Sequence, residues 1–201
     1  MKIISAYKII KNLGATIFRT SDVAITMDVT NKQGYKVLKQ LADEKLLLHL
    51  RRDLWAITEA LDPLMLADYL TAPLPAYISL QSALYYHGLI SQIPSVIYAV
   101  SIARTRVYKT PVASYSIHHI SAELFAGFDI IGDKAIRIAQ PEKALFDFFY
   151  FKAAKSKLFY ALPELDIPND FNWNILREYA EKIVNKSRRI MVLNLIERQA
   201  R

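Results

Sequence analysis

Apolar residues at helical spacing mark three helices in the first sixty positions, and a hairpin follows them. Over residues 5–13, Ile9, Ile10 and Leu13, with Ile4 just ahead, recur at that spacing and stop at Gly14, a suitable C-terminal cap. A second, short helix is expected from Ser21 and Asp22, both good caps, through Val23, Ala24, Ile25 and Met27. Thr30 opens the third: it is a good N-cap, and Gln33 three residues on completes a capping box, so the helix begins at Asn31. Val37, Leu38 and Leu41 bury one face of it. Residues 46–50 and 54–57 then read as two strands joined by a turn at Arg51, Arg52 and Asp53.

The pattern continues with a connecting helix over residues 61–70, opened by Asp62 and Pro63. Residues 71–76 hold two prolines and no periodic pattern, which sets a domain boundary between 1–70 and 77–201. Ser79 is placed to cap a helix over Leu80, Ala83, Leu84 and His87 that ends at Gly88, with His87 given a structural role near its C-terminus. Three strand-like runs follow at 96–103, 112–120 and 130–139, with one turn of helix at 122–127. Pro141 opens an apolar helix carrying Ala144, Leu145, Phe148, Phe149 and Phe151, expected to pack on the sheet. From Phe171 the pattern is helical to the end, as one long helix or two joined near Asn185. The expected fold class is α+β: an N-terminal winged helix-turn-helix, then a mixed α/β domain with a small sheet and C-terminal helices.

Composition narrows the classes. Of 201 residues, 53% are apolar and 22% charged, a globular balance, and no apolar run approaches the roughly 18 residues of a membrane span. Lys2, Lys8 and Lys11 interrupt the first apolar stretch, so it reads as an amphipathic helix and not as a signal peptide. Zero cysteines exclude disulfides and thiolate zinc sites and fit a reducing compartment, so a cytoplasmic protein without a membrane association is expected. The net charge of +7 is unevenly spread. Basic against acidic residues stand at 10 to 6 over 1–60, 6 to 7 over 61–150, and 10 to 6 over 151–201. Basic ends attract nucleic acid, although solvated surface lysines give the same totals.

The Thr30 helix makes the charge specific. Lys32, Lys36, Lys39 and Gln40 share the face opposite its apolar one, with Asn31 and Gln33 at the exposed N-terminal end. Lysines neutralise phosphates, while Lys, Asn and Gln also meet base edges, which is what a major-groove helix requires. Arg51 and Arg52 at the hairpin tip would meet phosphate or the minor groove, as the wing of a winged helix does. The competing reading is a three-helix cap with no DNA role. Agreement of element order, helix-face chemistry and wing-tip arginines favours DNA.

Groups for bond-making chemistry are scarce. Five glycines at 14, 34, 88, 127 and 132 are scattered singly and form no phosphate cradle. His118 and His119 are neighbours in an expected strand, so they point to opposite faces and make a poor metal pair. Glu142 and Asp147 are more simply read as helix-dipole and ion-pair residues than as catalytic acids, so no enzyme, cofactor or metal is expected. Arg104, Arg106 and Tyr108 alternate and share one strand face if the strand extends that far. They could meet a partner or RNA, or merely blunt a sheet edge.

Three blocks carry a resemblance to a known family: Tyr77-Ile78-Ser79-Leu80-Gln81-Ser82-Ala83-Leu84, Tyr86-His87-Gly88-Leu89-Ile90, and Ala139-Gln140-Pro141-Glu142-Lys143-Ala144-Leu145-Phe146-Asp147. The Arg104-x-Arg106 pair and Phe125-x-Gly127 add a weaker match. In these the chain resembles the AbiEi-family antitoxins of bacterial abortive-infection, type IV toxin-antitoxin systems. That resemblance implies an N-terminal domain that represses its own operon by binding operator repeats in double-stranded DNA. It also implies a C-terminal domain that counters a nucleotidyltransferase-like toxin encoded beside it; the alternating Arg104, Arg106 and Tyr108 are a candidate antitoxin or partner surface in that domain. The alternatives are a ligand- or partner-responsive winged-helix regulator without a toxin, and an enzyme acting on nucleic acid.

Overall fold

The computed structural model describes residues 3–133, 135–154 and 164–200. Among them the fold is mixed α+β, with eight α-helices and two sheets. The chain divides into two compact units, Met1–Leu66 with Lys109–Ala113, and Ala67–Tyr108 with Ser114–Arg201.

The first unit contains α1 (Ile3–Lys11), β1 (Ile17–Arg19), α2 (Thr20–Thr26), α3 (Asn31–Asp43), β2 (Leu47–Arg51) and β3 (Leu54–Ile57). Its strands form an antiparallel sheet in the order β1-β3-β2. β1 has no counterpart in the sequence pattern because three residues are too few to show alternation; it exists by pairing, with Phe18 opposite Trp55. α2 starts at Thr20 and not at Ser21. Thr20 is drawn inward, where its hydroxyl accepts the Trp55 indole N–H at 3.0 Å, and Asp22 accepts the Arg19 N–H at 2.8 Å to close the first turn. α3 begins where the capping box sets it: the Gln33 N–H donates to Thr30 Oγ1 at 3.3 Å and the Thr30 N–H to Gln33 Oε1 at 3.0 Å. Gly34 lets α3 close on α2, since a Cβ there would come within 3.3 Å of the Ala24 Cβ. Leu38 and Leu41 from α3 meet Ala6, Ile10, Phe18, Val23, Leu47, Trp55 and Ile57 in one core.

The expected 61–70 helix opens as a 3-10 turn over Pro63–Met65, where Asp62 accepts the Leu64 N–H at 2.9 Å, and continues as α4 (Leu66–Thr71). Then come β4 (Ala76–Ile78), α5 (Leu80–Tyr86), β5 (Ile97–Ser101), β6 (Arg106–Lys109), β7 (Ser114–His119), β8 (Phe128–Ile131), β9 (Ile136–Ala139), α6 (Pro141–Ala153), α7 (Trp173–Glu181) and α8 (Lys186–Gln199). The strands form one six-stranded mixed sheet, β6-β7-β5-β4-β9-β8, with β4/β9 and β5/β7 parallel.

One expectation is corrected here. The run 130–139 is a hairpin and not one strand: β8 and β9 pair antiparallel, Ile131 opposite Ile136, and Gly132 takes φ +61° in the reversal. β4 lies inside the sheet with all three residues buried, so it has no alternation to betray it. The C-terminal pattern resolves into two helices, and the Asn185 side chain caps the second by accepting the Arg188 N–H at 2.9 Å. α6 is buried at every position from Lys143 to Phe151, as a helix covered all round must be. Residues from β4, β5, α5, α7 and α8 join it in the core.

Candidate functional site

α3 presents its amide and lysine face to solvent. Asn31, Lys32, Gln33, Lys36, Lys39 and Gln40 are all exposed, while Gly34, Leu38 and Leu41 are buried behind them. Lys32, Lys36 and Lys39 enter no ion pair among the described residues, so their charge is uncompensated along one side of the helix. Gln33 is less free than its neighbours. Its side-chain carbonyl accepts from the Thr30 N–H and, at 2.9 Å, from the Thr30 hydroxyl, which leaves its NH2 to donate outward.

Arg51 and Arg52 stand exposed at the end of the β2–β3 hairpin, where a bulge between His49 and Arg51 shifts the register. Asp53, the third turn residue, accepts the Thr20 N–H at 3.2 Å and lies 3.6 Å from the Arg19 guanidinium, so the acid of the turn is already engaged. The eight residues assigned to DNA thus lie on two elements of one unit, all at its surface.

Arg104, Arg106 and Tyr108 are not one row. β5 ends at Ser101 and β6 begins at Arg106, so Arg104 lies off the strand, in the connection. Arg106 and Tyr108 do share a face of the edge strand β6, with the guanidinium 5.2 Å from the Tyr108 ring centre. Of the histidine pair, His118 is buried and His119 exposed, on opposite faces as alternation requires. His118 Nε2 and Ser116 Oγ are 2.9 Å apart, and burial pushes the imidazole down to about 4.

Sequence reasoning missed a buried polar cluster. The Lys143 ammonium and the Asp147 carboxylate pair one turn apart on α6, both at 0% exposure. The other Asp147 oxygen accepts from the Ser79 hydroxyl at 2.7 Å and the Tyr77 hydroxyl at 2.9 Å. Lys143 Nζ is ringed by Tyr77, Phe146 and Tyr179, at 5.5, 4.9 and 5.1 Å from the ring centres. Burial pushes the Asp147 carboxyl up and the Lys143 ammonium down, each opposed by the other's charge. Tyr77 is held well above the usual phenol range by burial and then by Asp147. Ser79, expected as a helix cap, makes no capping hydrogen bond; its hydroxyl donates to Asp147 instead.

The motif blocks converge on this cluster. Tyr77 and Ser79 come from the first block, Lys143 and Asp147 from the third, and His87 of the second bonds the Ala139 carbonyl through Nε2 at 2.7 Å. Phe125 packs edge-on against Tyr77 with ring centres 5.0 Å apart, and the Gly127 carbonyl accepts the Gln140 N–H at 2.9 Å. A sealed ion pair with these partners holds α6 on β4. It offers no opening for a substrate.

Among the described residues no group of three metal-ligating side chains comes together, and no helix is long and apolar enough to cross a membrane. No protein-family model matches the chain, and no curated protein matches it.

Proposed function

We propose that this protein is an operon-autoregulating antitoxin of the AbiEi type, whose first unit is a winged helix-turn-helix that binds double-stranded DNA. The observation that carries the DNA-binding half is the exposed face of α3, where three lysines with no ion pair among the described residues are interleaved with amide side chains and backed by a buried apolar face. In this reading α2 and α3 are the helix-turn-helix and α3 enters the major groove. Lys32, Lys36 and Lys39 neutralise phosphates, Asn31 and Gln40 meet base edges, and the β2–β3 hairpin sets Arg51 and Arg52 against the backbone beside the groove. Affinity comes chiefly from counterion release and discrimination from the amides.

The second unit, in the same reading, counters a nucleotidyltransferase-like toxin encoded next to it. Its support is that Tyr77 and Ser79 of the first resembling block meet Lys143 and Asp147 of the third in one buried cluster of that unit. The binding half is tested by titrating the purified protein against the DNA just upstream of its own gene and against shuffled DNA, over a salt series. Tighter binding to its own sequence, with the logarithm of affinity falling linearly with log salt, is expected. Equal binding to both reduces α3 to general electrostatics. Co-expression with the adjacent gene tests the other half: growth arrest by that gene alone, relieved by this protein, is expected, and an innocuous neighbour would favour a regulator without a toxin.

A further inference from the structure

An aromatic on the exposed side of α3 escapes any count of charges. Tyr35 is 40% exposed, yet its ring packs edge-on against Trp55, with centres 5.6 Å apart and planes at 70°, and against His49 at 6.1 Å and 81°. His49 in turn stacks on Trp55 at 4.0 Å and 18°, and Trp55 is buried with its indole N–H bonded to Thr20. Three rings therefore tie α3 to β2 and β3, and they fix where Tyr35 sits. On the helix Tyr35 lies four residues after Asn31, three after Lys32 and four before Lys39, so it shares their stripe. Its hydroxyl has no hydrogen-bond partner among the described residues.

We infer that Tyr35 contacts the DNA backbone, its hydroxyl donating to a phosphate oxygen beside those neutralised by Lys32 and Lys39; this rests on the DNA-binding reading of α3. One residue is about 100° of helix rotation, so Tyr35 lies that far around from Lys36 and at the margin of the lysine face, on the side of the hairpin. Phosphate contacts that position a protein on the duplex are made by hydroxyl-bearing side chains such as Tyr as well as by cations. The phenol is an O–H donor with few torsions to freeze, and its ring is already seated, so the contact needs little ordering on binding. His49 and Trp55 are positioning residues that hold the ring.

The test compares full-length wild type, Tyr35→Phe and Lys36→Ala on the upstream duplex and on a shuffled duplex across a salt series, with thermal unfolding in parallel. Tyr35→Phe keeps the ring cluster and loses the donor. It is expected to weaken binding about ten- to a hundredfold on both duplexes, the scale of one hydrogen bond to a charged acceptor. The salt slope should be unchanged, because a neutral donor releases no counterion, whereas Lys36→Ala lowers the slope by about one. A Tyr35→Phe protein that binds like wild type overturns the inference, as does a loss confined to the upstream duplex, which would assign the hydroxyl to a base edge. Wild type that binds neither duplex fails at the earlier step and takes both readings with it.

Discussion

Lys143 and Asp147, one turn apart on α6, form an ion pair from which water is wholly excluded. Two charges removed from water gain little net stability from each other, but removing one leaves the other buried and unpaired. Asp147→Ala is therefore expected to cost about 3–5 kcal/mol, measured by urea denaturation. The double change Lys143→Met with Asp147→Leu should cost less, since no charge is left behind, although the Tyr77 and Ser79 hydroxyls lose their acceptor. A double variant less stable than the single one would contradict this account of the pair.

Gly127 is required where it stands. Its φ is +74°, and an added methyl would overlap the Tyr179 hydroxyl while coming within 3.1 Å of Lys143 Cγ. Gly127→Ala should destabilise the protein by about 2–4 kcal/mol, combining a left-handed backbone with overpacking. Tyr179→Phe, which deletes the overlapping atom, should restore part of that loss. Thermal melts of the two singles and the double would show it; strict additivity would mean the clash is not the cause.

Burial depresses the His118 imidazole to about 4 from an ordinary 6.5. The folded protein thus binds its proton less readily than the unfolded chain, so the contribution is fully present above pH 6.5 and is lost as pH falls toward 4. Between pH 7 and pH 5 this single group should withdraw about 2 kcal/mol. Urea midpoints of wild type and His118→Gln at the two pH values isolate it: the variant should lose less stability on acidification. An equal loss in both would assign the acid sensitivity elsewhere.

What could be read in advance followed from local rules. The start of α3 rests on a contact between Thr30 and Gln33, three residues apart, so the sequence pattern contained it whole. The same holds for α6 after Pro141 and for the exposed row of lysines. What escaped depends on partners far along the chain. β1 exists because Phe18 meets Trp55, and the role of Ser79 is decided by Asp147, which lies 68 residues away. Lys143 reads as a surface cation from its type alone; its burial follows from rings contributed by β4 and α7. Tyr35 is illegible in the sequence for a related reason, since its seat is built by the hairpin.

Gln40 and Lys36 should separate reading from holding. Both are exposed on the same side of α3, one with a neutral amide and the other with a full charge. In the proposed complex Lys36→Ala removes one neutralised phosphate, so it should weaken the upstream and shuffled duplexes together and flatten the salt slope by about 0.9. Gln40→Ala removes a base-edge partner worth about 1–3 kcal/mol of discrimination, so it should narrow the gap between the two duplexes and leave the slope unchanged. Fluorescence anisotropy at four or five salt concentrations resolves the slope and the gap in one series. Were Gln40→Ala to change the slope, or Lys36→Ala to change only the gap, the lysines would be the readers and the orientation assigned to α3 in the groove would have to be redrawn.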